Sequence, residues 1–293
     1  MTAEVSKPGT GSTAPWPAPA KLNLFLHILG RRDDGYHELQ TAFQFIDLCD
    51  QLMLEPRNDG RILRVEGPPE VEAVDDLSVR AAELLKTHAG EGNRGVTIRL
   101  RKRIPLQSGL GGGSSDAATA LVALNRLWGL GLPTEELAKI GLQLGADVPV
   151  FIQGHAAWAE GVGERLQPID PIETIYLVIR PGVAISTAEV FQAPDLTRNT
   201  APITTREFLL RSAGRNDCEP LVRSRFPEVA AALDWLGKFA PAKLTGTGSC
   251  IFAPFTNRDR AQKVADQVPL HWQGFVVQGL NRSPLLDRLA AQG

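Results

Sequence analysis

The chain has 293 residues, 43% of them hydrophobic, with 31 Lys and Arg against 33 Asp and Glu for a formal net charge of −2. That length allows one large core or two moderate ones, and the even mixing of charge excludes the strongly basic face of a nucleic-acid binder. Three scattered cysteines, Cys49, Cys218 and Cys250, give neither a disulfide framework nor metal spacing and point to a reducing cytoplasm, and no apolar run approaches the roughly 20 residues that span a bilayer.

Residues 1–15, MTAEVSKPGTGSTAP, lack the apolar centre of a signal peptide and read as a disordered leader. From Ala20 to Ile28 the pattern alternates: Ala20, Leu22, Leu24, Leu26 and Ile28 on one face, Lys21, Asn23, Phe25 and His27 on the other. Lys21 and Asn23 then point together, either to a solvated edge or to the floor of a cleft; spacing alone does not choose. Asp33-Asp34-Gly35 is a turn signal, which makes Ala20–Ile28 and Tyr36–Leu48 a hairpin. Tyr36 and His37, just past the turn, read as a strand-start aromatic and a surface histidine. Asp75-Asp76 then caps an amphipathic helix over 77–87, with Leu77, Ala81, Leu84 and Leu85 at helical spacing.

Next comes the richest stretch, RKRIPLQSGLGGGSSDAATALVAL from Arg101 to Leu124. A β-rich segment with Val96, Ile98 and Leu100 ends at Pro105. Gly109, Gly111, Gly112 and Gly113 follow, then Ser114, Ser115 and Asp116 as cap, then strong helix formers from Ala117. Glycines allow close backbone approach, and a helix start presents N–H groups and partial positive charge. Together they favour an anion site, phosphate above all, over an empty turn. There is no Gly-Lys-Ser/Thr, so this is not a P-loop, and Gly109-x-Gly111-x-x-Ser114 lacks the third glycine of the dinucleotide fingerprint.

Another helix is expected over 134–144, stopped by Gly145. In Gly145-Ala146-Asp147-Val148-Pro149-Val150-Phe151, Pro149 would keep Val148 extended, leaving Asp147 at a helix-to-strand junction as a turn carboxylate. A strand over 172–180 follows. Phe191 reads as core, and 192–200, with Pro194, Asn199 and nearby Pro202, as a loop. Asn216-Asp217 and a helix over 227–239 look structural. Leu244-Thr245-Gly246-Thr247-Gly248-Ser249-Cys250 precedes the apolar strand 251–253; it is either a tight turn or a loop in close contact with the first glycine run. A helix over 259–267 and a strand over 272–278 close the chain.

PLQSGLGGGSSDAAT resembles the second motif of the kinase superfamily named for galactokinase, homoserine kinase, mevalonate kinase and phosphomevalonate kinase, and 244–250 resembles its third. PAPAKLNLFLHILGRRDDGYHELQT and GADVPVF are similar to the first motif and the aspartate segment of a branch that phosphorylates a cytidine diphosphate-linked methylerythritol in the non-mevalonate isoprenoid pathway. The resemblance covers Pro17 to about Phe255. It implies an α+β fold of two domains, with a ribosomal-protein-S5-like N-terminal domain over 16–168 that binds ATP and a ferredoxin-like C-terminal domain over 169–293.

The resemblance also assigns roles. Lys21 and Asp147 would be catalytic. ATP would be bound by Lys102, Pro105, Leu106, Gln107, Ser108, Gly109, Leu110, Gly111, Gly112, Gly113, Ser114 and Ser115, with its β- and γ-phosphates on the backbone N–H groups of Gly109–Ser115. Asn23, Tyr36, His37, Asp147, Thr187 and Phe191 would hold the substrate, with the cytosine between Tyr36 and Phe191, and Gly246, Thr247 and Gly248 would close the site. Mg²⁺ would arrive on the nucleotide, within reach of Ser114 or Ser115. The enzyme would be a cytoplasmic monomer or weak homodimer with no nucleic-acid or membrane partner. Relatives carry asparagine near the adenine where this chain has Asp76; an ionised carboxylate cannot donate, so capping is the role expected of it. Sister kinases of homoserine or mevalonate would share the loops but not need Tyr36, His37 and Phe191. A non-catalytic nucleotide binder would typically lack Lys21 or Asp147.

Overall fold

The computed structural model describes residues 14–90, 92–211 and 213–291; of the predicted leader, residues 1–15, all but Ala14 and Pro15 lie outside the described residues. The chain opens on a long antiparallel hairpin, β1 (Trp16–Arg31) and β2 (His37–Arg57). Its turn is the one expected: Gly35 adopts φ +87°, its N–H donates to the Arg32 carbonyl, and the Asp34 carboxylate accepts from the Tyr36 N–H.

The predicted alternation along β1 breaks at Leu24. Asn23 pairs with Phe43 and Phe25 with Ala42, so Leu24 is an extra residue, a β-bulge that flips the faces beyond it. Phe25 thus joins Leu22 and Leu24 in one apolar cluster, instead of sharing the polar face of Lys21. Neither face meets water. Lys21 and Asn23 are only 3% and 4% exposed, and the solvated-edge alternative falls away.

The first half continues with β3 (Ile62–Glu66), α1 (Leu77–His88), β4 (Gly95–Arg101), α2 (Gly112–Leu127), α3 (Thr134–Leu142), α4 (Val148–Gln153), β5 (Ala157–Gly161) and β6 (Arg165–Pro168). The second half holds β7 (Ile175–Arg180), α5 (Thr187–Gln192), α6 (Thr205–Arg211), α7 (Glu219–Arg225), α8 (Pro227–Leu236), β8 (Lys243–Leu244), β9 (Ile251–Phe255), α9 (Arg258–Ala265), β10 (Gln273–Leu280) and α10 (Pro284–Ala290). Strands run in the order β3-β4-β2-β10-β7-β9-β8, with β1 and β5 also paired to β2. Among the described strands every pair is antiparallel except β3–β4, which is the α+β architecture expected.

Two boundaries differ from expectation for physical reasons. Pro149 does not hold Val148 extended, because proline at the start of a helix lacks only an N–H that has no partner there; Asp147 therefore precedes α4, not a strand, and Gly154 at φ +70° ends that helix. Likewise α2 begins at Gly112, so Ser114, Ser115 and Asp116 lie inside its first turns and are not its cap; Gly111, at φ +74°, holds the cap position. Asp76 does cap α1, accepting from the Ser78 N–H at 2.9 Å and pairing with Arg64 at 2.8 Å.

The two halves are sewn together along β2. Gly279 and Leu280 of β10 pair with Ile46 and Phe45, and α10 returns to pack on β1, with Leu285 fully buried in the first core. At this seam lies buried Gln44. Its amide donates to Asn281 Oδ1 at 2.9 Å and its carbonyl accepts from the Tyr176 hydroxyl at 2.8 Å. Gln44→Leu would orphan both partners in a buried place; we expect a loss of about 2 kcal/mol in urea unfolding, and an unchanged midpoint would remove Gln44 from the seam.

Candidate active site

A cavity of about 980 Å³ opens between the halves. One wall is the chain from Lys102 to Ser114, except Leu110, which is buried in the apolar core. Lys21 and Asn23 form the floor, Asp147 stands at one side, and Thr187, Phe191, Gly246 and Thr247 face them from the second half. The sequence stretches singled out for chemistry therefore converge on one space.

The glycine loop is shaped by neighbours as much as by any ligand. Gly109 has φ +76°, and a Cβ there would lie 2.2 Å from the Thr245 carbonyl oxygen, so only glycine admits the contact. The loop is fastened on both flanks. The Lys21 N–H donates to the Leu110 carbonyl at 3.0 Å, and the Cys250 N–H to the Ser108 carbonyl at 3.0 Å. Thr245 Oγ1 accepts from the Asn23 N–H at 3.0 Å and lies 3.4 Å from the Gly109 carbonyl. Of the two readings left open for 244–250, the close approach is the one observed. Gln107, a non-glycine residue, is held at φ +51° within the same loop, a strain of the kind that gathers at ligand sites.

Lys21 is the centre of the floor. Its ammonium lies 3.3 Å from Asp147 Oδ2, 2.5 Å from Asn23 Oδ1 and 3.1 Å from the Gly109 carbonyl, above the Phe43 ring at 5.3 Å. The amide of Asn23 is in turn oriented by Thr41 at 3.0 Å. Asp147 keeps about a third of its side chain exposed (34%) and so remains open to the cavity. At an effective dielectric of about 20, such a pair interacts by roughly 4 kcal/mol before solvent screening at the exposed carboxylate reduces it.

Other expected residues fall in less obvious places. Ser114 lines the cavity, whereas Ser115 is fully buried and its hydroxyl has no partner. Thr187 Oγ1 and Thr247 Oγ1 are 3.0 Å apart across the second half. Gly248 lies behind that edge. Phe191 stacks on His37, with ring centres 5.2 Å apart, and Tyr36 is 64% exposed. Neither Tyr36 nor His37 is part of the cavity wall; Phe191 is.

Sequence reasoning missed the supports. Lys102 sits between Asp50 Oδ2 at 2.5 Å and Asp116 Oδ2 at 2.6 Å, and Asp50 Oδ1 also accepts from the N–H groups of Arg103 and Ile104. This buried triad joins β2, the loop entry and α2. Burial pushes the Asp116 carboxyl well above the usual carboxylate range, an effect Lys102 offsets only in part and Asp50 reinforces. Burial draws the Lys102 value down, but the two carboxylates together carry it above the ordinary lysine value. Asn216, read as structural, holds the third loop by donating to the carbonyls of Leu244 and Gly246. A lysine and an aspartate 14 residues apart across a glycine loop gave no spacing signal. Cys218 and Cys250 are buried and pushed up to about 12, so neither thiol is a nucleophile at neutral pH.

The family model described as GHMP kinases N terminal domain matches residues 76–155, and GHMP kinases C terminal matches 204–274. A 4-diphosphocytidyl-2-C-methyl-D-erythritol kinase of Nitrosococcus oceani is 57% identical over 278 residues, 95% of this chain and 99% of its own. One from Halorhodospira halophila is 58% identical over 278 residues, 94% and 96% of the two chains. A crystal structure of a 4-(cytidine 5'-diphospho)-2C-methyl-D-erythritol kinase superposes with a TM-score of 0.77 at 34% identity, over 90% of this chain and 98% of that one. A mevalonate kinase at 15% identity shares the fold, with a TM-score of 0.66 over 92% of this chain and 99% of its own.

Gly109→Ala should weaken ATP binding and lower stability by about 1–3 kcal/mol; ATP titration and urea unfolding both unchanged would mean that the two glycine loops do not touch in solution. Asp116 carries a sign that can be tested. A carboxyl whose folded value is raised favours the folded state only while it is protonated, and that support is lost as pH rises through the folded value. Asp116→Asn should therefore stabilise relative to the parent at alkaline pH, with the gain vanishing towards the ordinary aspartate range. Urea midpoints across pH give the answer, and a constant difference would contradict the raised value.

Proposed function

The chain belongs to the 4-diphosphocytidyl-2-C-methyl-D-erythritol kinases of the GHMP kinase family, and from that membership we propose that Lys21 and Asp147 carry out its reaction. That reaction is the ATP-dependent phosphorylation of the 2-hydroxyl of 4-diphosphocytidyl-2-C-methyl-D-erythritol, giving ADP and the 2-phosphate, a step of the non-mevalonate isoprenoid pathway. The observation that carries the assignment is the buried Lys21 ammonium 3.3 Å from a cavity-facing Asp147 carboxylate, beside the loop at the start of α2.

Phosphoryl transfer has a loose transition state, so placement and charge neutralisation are the main tasks of the protein. The ATP phosphates would rest on the backbone N–H groups between Gly109 and Ser115, at the positive end of α2. As the acceptor oxygen bonds to the γ-phosphorus, the bond from phosphorus to the ADP oxygen breaks and the acceptor proton passes to Asp147. Lys21 holds that carboxylate in place and offsets charge on the transferring group. Mg²⁺ carried by ATP would supply further neutralisation of the phosphate oxygens. Its preference for oxygen ligands and retained water fits a site where the Ser114 hydroxyl faces the cavity beside the Asp147 loop.

Lys102 and Ser108 would stand on the nucleotide side. Asn23, Tyr36, His37, Thr187 and Phe191 would take the cytidine substrate, His37 and Phe191 being the pair already in ring contact. Gly246, Thr247 and Gly248 would close the site, with 16–168 holding ATP and 169–293 completing the enclosure. The same reading has the enzyme working in the cytoplasm as a monomer or weak homodimer, with a small-molecule substrate and neither nucleic acid nor membrane as partner. Among the described residues no helix is long and apolar enough to cross a membrane.

Asp147→Ala should lower turnover by about two decades or more while leaving ATP binding nearly intact. The measurement is coupled ADP release with the cytidine substrate, run beside homoserine and mevalonate. Unchanged turnover would refute the base; equal rates on the other two alcohols would refute the substrate.

A further inference from the structure

Arg198, in the segment after α5, has had no role so far. Its Nε donates to His37 Nε2 at 2.9 Å, its Nη1 to the Leu196 carbonyl at 3.1 Å, and its Nη2 to the carbonyls of Phe191 and Ala193 at 3.0 and 2.6 Å. One guanidinium thus ties the end of α5 to the first residue of β2, beside the stacked rings of Phe191 and His37.

A guanidinium has only donors and keeps its charge throughout the pH range of a folded protein. The imidazole nitrogen facing it must accept. A neutral histidine carries a single N–H, so with Nε2 accepting, the proton resides on Nδ1. The neutral form is itself favoured: burial, then the charges of Arg198 and of Arg31, which pairs with His37 across the hairpin, hold the imidazole below the ordinary histidine value.

That tautomer has a chemical consequence. Ring N3 of cytosine is an acceptor, whereas N3 of uracil bears a hydrogen. An Nδ1–H donor can serve the first and opposes the second. We infer that Arg198 is a positioning residue for base selection: by occupying Nε2 of His37 it keeps the proton on Nδ1 and so makes the site prefer cytosine over uracil. This rests on the proposed seat of the base beside His37.

Binding of CDP and of UDP to the full chain, measured by calorimetry, isolates the base because the two ligands share the sugar and diphosphate. The parent should prefer CDP. In Arg198→Met the imidazole is free to move its proton to Nε2, and the preference should fall by about tenfold at alkaline pH. It should return as pH is lowered through the imidazole pKa, which rises once one of the lowering charges is gone, because an imidazolium donates from both nitrogens. Arg198→Lys keeps a donor for Nε2 and should retain the preference even if overall affinity drops. A uniform loss of CDP and UDP binding in Arg198→Met, with the ratio constant at every pH, would reduce Arg198 to a loop brace and overturn the inference. Nitrogen–proton NMR correlations of the His37 ring in the parent separate the remaining failures and need no variant to fold. An Nε2–H tautomer overturns the role of Arg198 itself. An Nδ1–H tautomer without CDP preference overturns the inference through the seat of the base, leaving the Arg198 contact standing.

Discussion

Much of this structure exists to keep one ammonium, that of Lys21, where water barely reaches. An unpaired buried charge costs several kcal/mol, and the chain meets that cost with four partners drawn from distant segments: Asp147, Asn23, the Gly109 carbonyl and the Phe43 ring. Two of these partners are themselves fixed, Asn23 by Thr41 and Gly109 by the second-half loop at Thr245. The floor of the cavity, the first glycine loop and the carboxylate are therefore set by the same contacts, and displacing any one loosens the rest.

The same economy appears where the halves meet. Thr245 and Gly109 touch backbone to backbone, Asn216 holds the far side of that loop, and the triad of Asp50, Lys102 and Asp116 holds the near side. The cavity is thus walled by loops at the junctions between elements, over a floor formed by β1 and β2. Short glycine segments can lie this close because they carry no side chains to separate them.

This explains what could be read in advance. The hairpin, α1 with its Asp76 cap and the strands β7, β9 and β10 were legible, since turn residues, caps and apolar periodicity are local signals. Lys21, Asp147 and the glycine runs were visible as residues, but their meeting was not, because spacing along the chain says nothing of contacts across the seam. Local rules also misled at Leu24, where one extra residue reverses the faces of a strand, and at Pro149, which starts a helix where an extended run was expected. Arg198 left no trace, and Lys102 and Asp116 were read for other roles: their pairing comes only from what folds over them.

The return of α10 to the first core, with β10 inserted beside β2, bears on how the molecule is made. Synthesis proceeds from the amino end, so the first half emerges from the ribosome lacking Leu285 and the strand that covers the middle of β2. Until those last segments are translated, the edge of β2 at Phe45 and Ile46 lacks its β10 partner. A newborn chain halted before β10 is accordingly the form of this enzyme most exposed to aggregation and most in need of a chaperone.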